Sequence, residues 1–167
     1  MNETQLGILI NSPGSNQVAF TAINHVNTIH TLKLPINPCI FYRENTKHCT
    51  KLAGMSTTID RIFNYYGHVI ATNLDLAVFA LNAKTPQSKT LYMFDLEWLT
   101  GYGNFVHNAT IYNNPELIVI APSKEYADAL YNYCGRTANA IVPRFHIPTI
   151  VEVIKNEVCN RTQQAVV

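Results

Sequence analysis

The chain has 167 residues, 47% of them hydrophobic and 14% charged, with a formal net charge of +1. That length and apolar content suit one domain with one sizeable core and argue against two independent units. The near-neutral balance excludes a global field that would draw nucleic acid or a membrane surface, so any such contact has to be local.

The first residues, Met1 to Gln5, carry no basic patch ahead of an apolar run. The run Leu6 to Ile10 is too short for a signal peptide or a spanning helix, which points to a cytosolic protein without a membrane partner. Cys39, Cys49, Cys134 and Cys159 show no C-x-x-C spacing, so they are expected as reduced thiols, Cys39 and Cys134 serving as core filler. In that compartment the sequons at Asn2, Asn108 and Asn160 carry no meaning.

Leu6-Gly7-Ile8-Leu9-Ile10 reads as a buried strand stopped by the turn residues Asn11 to Ser15. From Asn16 to Leu32, Val18, Ala19, Ala22, Ile23, Val26, Ile29 and Leu32 recur at spacings of three and four and give one helix an apolar face. Pro35 and Pro38 break the chain before a second strand, Cys39 to Tyr42. Leu52, Met55, Ile59, Ile62, Phe63 and Tyr66 then mark a helix that Gly67 ends. A third strand runs from His68 to Thr72, a short helix from Asp75 to Asn82, and a fourth strand from Thr90 to Phe94. Beyond a Gly-containing loop, Phe105 to Tyr112 reads as a turn of helix, Leu117 to Ile120 as a fifth strand, and Ser123 as the cap of a helix reaching Cys134, stopped by Gly135. Ala140 to Val142 makes a sixth strand and Ile147 to Val158 a last helix with Pro148 in its first turn. Residues 1–160 thus form the domain and 161–167 a loose tail.

Short, continuously apolar strands alternating with amphipathic helices predict an α/β fold: a single Rossmann-like, doubly wound domain whose mostly parallel sheet has about six strands. In such a sheet the ligand crevice lies beyond the carboxyl ends of the strands, and that rule selects the candidates. After the first strand, Ser12, Gly14 and Ser15 offer small residues and hydroxyls that let backbone N–H groups approach a sugar or phosphate, or simply open a helix. The loop is neither G-x-G-x-x-G nor a P-loop. After the third strand come Asn73 and Asp75, the latter read as a helix cap.

The fourth strand delivers Asp95, Glu97 and Trp98, the one tryptophan of the chain. A carboxylate beside aromatic surface can have a raised pKa and act as a general base, while Trp98 offers a stacking face or fills a core gap. Ser123 with Lys124, and Arg144 with His146, add a hydroxyl and cations at the same edge, suited to an oxyanion or phosphate. The remaining histidines show no paired ligand spacing, so no metal site is expected.

The chain resembles the N-terminal half of GT-B glycosyltransferases, and among them the DNA β-glucosyltransferases of T4-type phages that sugar hydroxymethylcytosine. The likeness is carried by the first strand with its Asn-Ser loop, by Val69-Ile70-Ala71-Thr72-Asn73, and by Ser88-Lys89-Thr90-Leu91-Tyr92-Met93-Phe94-Asp95-Leu96. In that family a serine-lysine, an apolar-aromatic strand and an aspartate follow in this order, and the aspartate is the base. The resemblance therefore implies glycosyl transfer from a nucleotide sugar, UDP-linked and needing no further cofactor, to a modified base of DNA. Asp95 would be the base, with Glu97 competing. It also implies a host-cell cytoplasmic setting if the gene is a phage's.

A full GT-B enzyme has a second Rossmann domain for the donor. The expectation here is a homodimer, a separate donor-binding subunit, or a compact donor site in this domain. Lys47, Lys51, Lys84 and Lys89 are the candidates for a local DNA-facing patch. Two rivals stay open: a non-catalytic Rossmann-like binding module, or subunit of a split enzyme, and a small hydrolase or ribosyltransferase of nucleosides using a carboxylate nucleophile.

Overall fold

The computed structural model describes residues 3–99 and 104–164. In chain order the elements are β1 (Thr4–Ile10), α1 (Gln17–Leu32), β2 (Ile36–Tyr42), β3 (Met55–Thr58), a 3-10 segment Ile59–Asn64, β4 (His68–Ala71) and α2 (Leu74–Asn82). Then come β5 (Ser88–Tyr92), a 3-10 turn Glu97–Leu99, α3 (Phe105–Tyr112), β6 (Leu117–Ala121), α4 (Lys124–Cys134), β7 (Ala140–Ile141), a 3-10 turn Pro143–Phe145 and α5 (Ile147–Gln164). The strands form one seven-stranded sheet in the order β3-β2-β1-β4-β5-β6-β7, parallel at every pairing. The fold is α/β and Rossmann-like, doubly wound about β1.

Burial on both faces explains why the strands read as unbroken apolar runs. Leu6, Ile8, Ile10, Ile40, Ile70, Ile118 and Ile120 pack under α1 and α5. The alternate residues Leu9, Phe41, Val69, Leu91, Leu117 and Val119 pack under α2, α3, α4 and the 59–64 segment. With pairs of side chains pointing to opposite faces and both faces dry, neither parity can be polar. Gly7 lies in β1 between β2 and β4, and a Cβ there would lie 2.9 Å from the Phe41 ring and 3.2 Å from Val69. Gly135 ends α4 with φ +74, the left-handed conformation that costs glycine nothing.

The sheet has seven strands where about six were expected, and the extra one corrects the reading of Leu52 to Tyr66 as a helix. Met55-Ser56-Thr57-Thr58 instead pairs with β2, from Cys39↔Met55 to Tyr42↔Thr58. Three hydroxyl residues, two of them β-branched, favour extended backbone there. The apolar spacing of Ile59 and Ile62 belongs to the 3-10 segment, whose two isoleucines are buried. Met55 and Tyr66, counted into the helical face, are 68% and 72% exposed.

Pro38 lies inside β2 and does not break it. Pairing with β3 starts only at Cys39, so Pro38 falls where one side of β2 is still open and its missing N–H costs little. α5 continues through Arg161 to Gln164, so the residues expected to begin a tail are helical. Arg161 donates to the Glu116 carbonyl at 3.0 Å. Residues 165–167, Asn2 with its sequon, and the Gly101 to Gly103 loop lie outside the described residues.

Cys39, Cys49 and Cys134 are partly buried free thiols and Cys159 is an exposed one. Burial pushes the Cys39 thiol up to about 11. No helix among the described residues is long and apolar enough to cross a membrane.

Candidate functional site

β1 and β4 are neighbours in the middle of the sheet, yet the chain leaves them in opposite directions. β1 feeds α1 on one face and β4 feeds α2 on the other. A parallel sheet opens a crevice at such a switch point. Here it is a cleft of about 380 Å³, walled by Ile10, Asn11, Asn16 and Val18 from the β1 exit, Thr72 and Asn73 from the β4 exit, and Asp95 and Glu97 from the β5 exit.

Side-chain hydrogen bonds fix each wall. Asn16 caps α1, its Oδ1 accepting from the Ala19 N–H at 2.8 Å. Asn73 caps α2, accepting from the Leu76 N–H at 2.9 Å. The capping role expected of Asp75 thus belongs to Asn73, and Asp75 lies in the first turn of the helix. The buried Thr72 hydroxyl donates to the Leu9 carbonyl at 2.8 Å, tying β4 to β1 at the floor of the cleft.

Glu97 is the most perturbed acid of the cleft. Its Oε1 accepts from the Leu74 N–H, the first amide of α2, at 2.9 Å. Burial pushes its carboxyl up to about 7, the Leu74 bond opposes that shift, and the like charges of Asp75 and Asp95 add to it. Asp95, two residues earlier, lines the same cleft but is exposed. Of the two carboxylates, Glu97 is the one held in fixed geometry, poised to gain or lose a proton near neutrality.

The other candidates are placed elsewhere. The Ser12 Oγ accepts from the Gly14 N–H at 3.2 Å and from the Thr46 hydroxyl at 3.3 Å, which fastens the β1 loop to the β2 exit. A Cβ on Gly14 would meet the Thr46 hydroxyl at 2.9 Å, and Ser15 is exposed. None of these three walls the cleft; Asn11 and Asn16 on either side of them do. Trp98 turns toward the helices, stacked on Tyr133 with ring centroids 4.5 Å apart and edge-on to Tyr112 at 5.6 Å. It packs against the core beneath α2, α3 and α4 and so fills a core gap.

Ser123 occupies the position before α4 but makes no side-chain bond to the helix backbone. Its hydroxyl hydrogen-bonds the Glu125 carboxylate and holds that group below the ordinary range. Arg144 stands in the turn after β7, between two further cavities of about 290 and 630 Å³. The four lysines do not make one patch. Lys47 lies beyond β2 and Lys51 in the approach to β3, its carbonyl bonded by the Asn27 amide of α1, while Lys84 and Lys89 line a cavity with Glu116. There the buried Lys89 ammonium is 2.7 Å from the Glu116 carboxylate.

The structure therefore brings together Asn73, Asp95 and Glu97 and separates Ser12, Gly14, Ser15, Trp98, Ser123 and Arg144 from them. Asn11, Asn16 and Thr72 also wall the cleft, and each directly follows a strand or opens a helix, the position that the crevice rule selects. Among the described residues no group of three or more His, Cys, Asp or Glu side chains is placed to hold a metal ion. Comparison of the chain with protein families, with curated proteins and with solved structures finds no match.

Proposed function

We propose that this domain is the acceptor-side half of a glycosyltransferase and that Glu97, in preference to Asp95, is its general base. The observation that supports the reading is the half-buried Glu97 carboxylate at the switch-point cleft, anchored on the Leu74 N–H and raised to about 7. A base tuned to that range exists in both protonation states at neutral pH. It takes the proton from an acceptor hydroxyl while that oxygen bonds to the anomeric carbon of the donor. The bond from that carbon to the nucleotide diphosphate breaks, and the diphosphate leaves with the electron pair. Asn73, Asn11 and Asn16 wall the same cleft and supply amide groups for sugar or base hydroxyls.

The narrower form of the proposal follows the sequence resemblance. The donor is a UDP-linked sugar, no further cofactor takes part, and the acceptor is the hydroxymethyl group of a modified cytosine in phage DNA, in the cytoplasm of the host. The resembling stretch Ser88 to Leu96 comprises β5 and its exit, the element that delivers both carboxylates. The donor is held by a second copy, by a separate subunit, or within this domain. Sugar transfer to hydroxymethylcytosine-containing DNA, followed by mass spectrometry, tests the reading. Transfer lost in Glu97→Gln and retained in Asp95→Asn supports it; equal transfer by wild type and Glu97→Gln removes the assigned role.

One observation favours a second reading, a non-catalytic binding module. A carboxylate on the first amide of a helix is also a structural cap, and Glu97 makes that bond to α2. Absence of nucleotide-sugar binding, together with a stable complex with another protein, would favour the module.

A further inference from the structure

We propose that the two cavities flanking Arg144 form a subsite for the diphosphate of a nucleoside diphosphate ligand, beside the cleft that holds Glu97. The choice of a nucleoside diphosphate over other phosphates rests on the transferase reading; the anion subsite itself stands on the geometry that follows.

Charge is segregated along this edge of the sheet. The switch-point cleft carries Asp95 and Glu97 and no cation. The cavities on either side of Arg144 carry that arginine and the imidazoles of His25 and His146, burial holding His25 below the ordinary histidine range, and no carboxylate. Arg144 has no ion-pair partner among the described residues. A guanidinium without an ion-pair partner, beside two imidazoles in cavities lined by no carboxylate, matches the multiple oxygens of a phosphate.

The groups are held, not merely near one another. Arg144 and Phe145 both take positive φ, 57 and 52, a conformation that costs non-glycine residues and persists only when surroundings enforce it. The Tyr92 hydroxyl enforces it from below, accepting from the Phe145 N–H and donating to the Val142 carbonyl, each at 2.9 Å. The rings of Tyr92 and Phe94 pack on Phe145 at 4.9 and 5.1 Å. His25 packs edge-on to Phe145 with ring centroids 5.8 Å apart. His146 shares its Nδ1 with the Thr149 hydroxyl at 2.8 Å.

The subsite adjoins the cleft through consecutive residues. Gln17 and Phe94 line the Arg144 side, and their chain neighbours Val18 and Asp95 line the Glu97 side. A ligand with its diphosphate at Arg144 can thus extend its next group past the start of α1 toward Glu97. Direct glycosyl transfer places the base at the acceptor oxygen and the leaving diphosphate across the anomeric carbon from it, and two adjoining subsites give room for that separation.

Calorimetric titration of the whole chain with UDP, pyrophosphate and inorganic phosphate tests the proposal, with Arg144→Gln and His146→Gln alongside. Arg144 and His146 are exposed, and thermal melting checks that their variants stay folded. Both diphosphates should bind the wild type more tightly than inorganic phosphate. Their affinity should fall about tenfold or more in Arg144→Gln, and by less in His146→Gln. Proton resonances of the His25 and His146 rings should shift on binding.

No binding of either diphosphate at millimolar concentration overturns the proposal, as does unchanged affinity in Arg144→Gln. So does a duplex DNA whose binding alone depends on Arg144, since the subsite would then read backbone phosphate. If pyrophosphate binds through Arg144 while no sugar is ever transferred, the subsite holds and the transferase reading falls.

Discussion

The hydroxyl of Tyr92 accepts a hydrogen bond from the backbone N–H of Phe145 at 2.9 Å, across a sequence separation of 53 residues. It joins the last residue of β5 to a turn with two successive left-handed residues, and it also satisfies the Val142 carbonyl at the end of β7. One buried phenol therefore sets where Arg144 stands.

Tyr92→Phe keeps the ring packing and removes only that bridge. It leaves a buried N–H and a buried carbonyl without this partner, so urea denaturation should show a loss of about 1–3 kcal/mol. The same variant should weaken diphosphate binding through the loosened Arg144 turn, and a stability loss under a few tenths of that range would contradict the bridging role.

Glu97 gives stability a pH dependence of defined sign. Its carboxyl is raised from 4.5 to about 7 in the folded protein, so the native state holds the proton more tightly than the unfolded chain. The contribution is whole below the ordinary carboxylate value and is lost as pH rises through about 7. Denaturation of wild type and Glu97→Gln at pH 5 and pH 8 isolates it. Relative to the variant, the wild type should lose about 1 kcal/mol over that span, a figure discounted for solvent screening at a half-buried site. In the transfer assay kcat/KM should climb through the same interval.

Trp98 stacks on Tyr133 and meets Tyr112 edge-on, in a partly buried aromatic group. Trp98→Ala should destabilise the fold by about 2–3 kcal/mol, below the value of a fully buried tryptophan. Trp98→Phe should recover most of that and leave ligand affinity as it was. A Trp98→Phe variant that folds normally but loses ligand binding would place the ring in the site after all.

Gly7→Ala puts a methyl group 2.9 Å from the Phe41 ring and 3.2 Å from Val69 in the centre of the sheet. Overpacking of a dry core costs about 1–3 kcal/mol. A combined Gly7→Ala, Phe41→Leu variant should lose less than the sum of its parts, which a double-mutant cycle measures.

The legible part of the molecule was the part governed by local pattern. The apolar stripe from Val18 to Ile29 forms α1 as its spacing predicts, Gly135 ends α4, and β1, β4, β5 and β6 each lie within one or two residues of their apolar runs. The misreadings fall where distant residues decide. Met55 to Thr58 looked helical because its apolar positions continue into Ile59 and Ile62, while the open edge of β2 recruits it as a strand. Asn73 and Asp75 are both good caps, and only the path of the chain out of β4 selects Asn73.

The sequence by itself determined an α/β sheet dry on both faces and a set of polar residues at strand exits, because alternation, capping and turn chemistry are written within a few neighbouring residues. Tertiary structure alone decided that β1 and β4 lie side by side. That contact brings Asn11 and Asn16 to the cleft beside Asn73, the β4–β5 pairing adds Asp95 and Glu97, Trp98 packs on Tyr112 of α3 and Tyr133 of α4, and Arg144 lines a neighbouring cavity. Which strand exits converge depends on the order of strands in the sheet, a long-range choice settled by packing of helices on two faces at once.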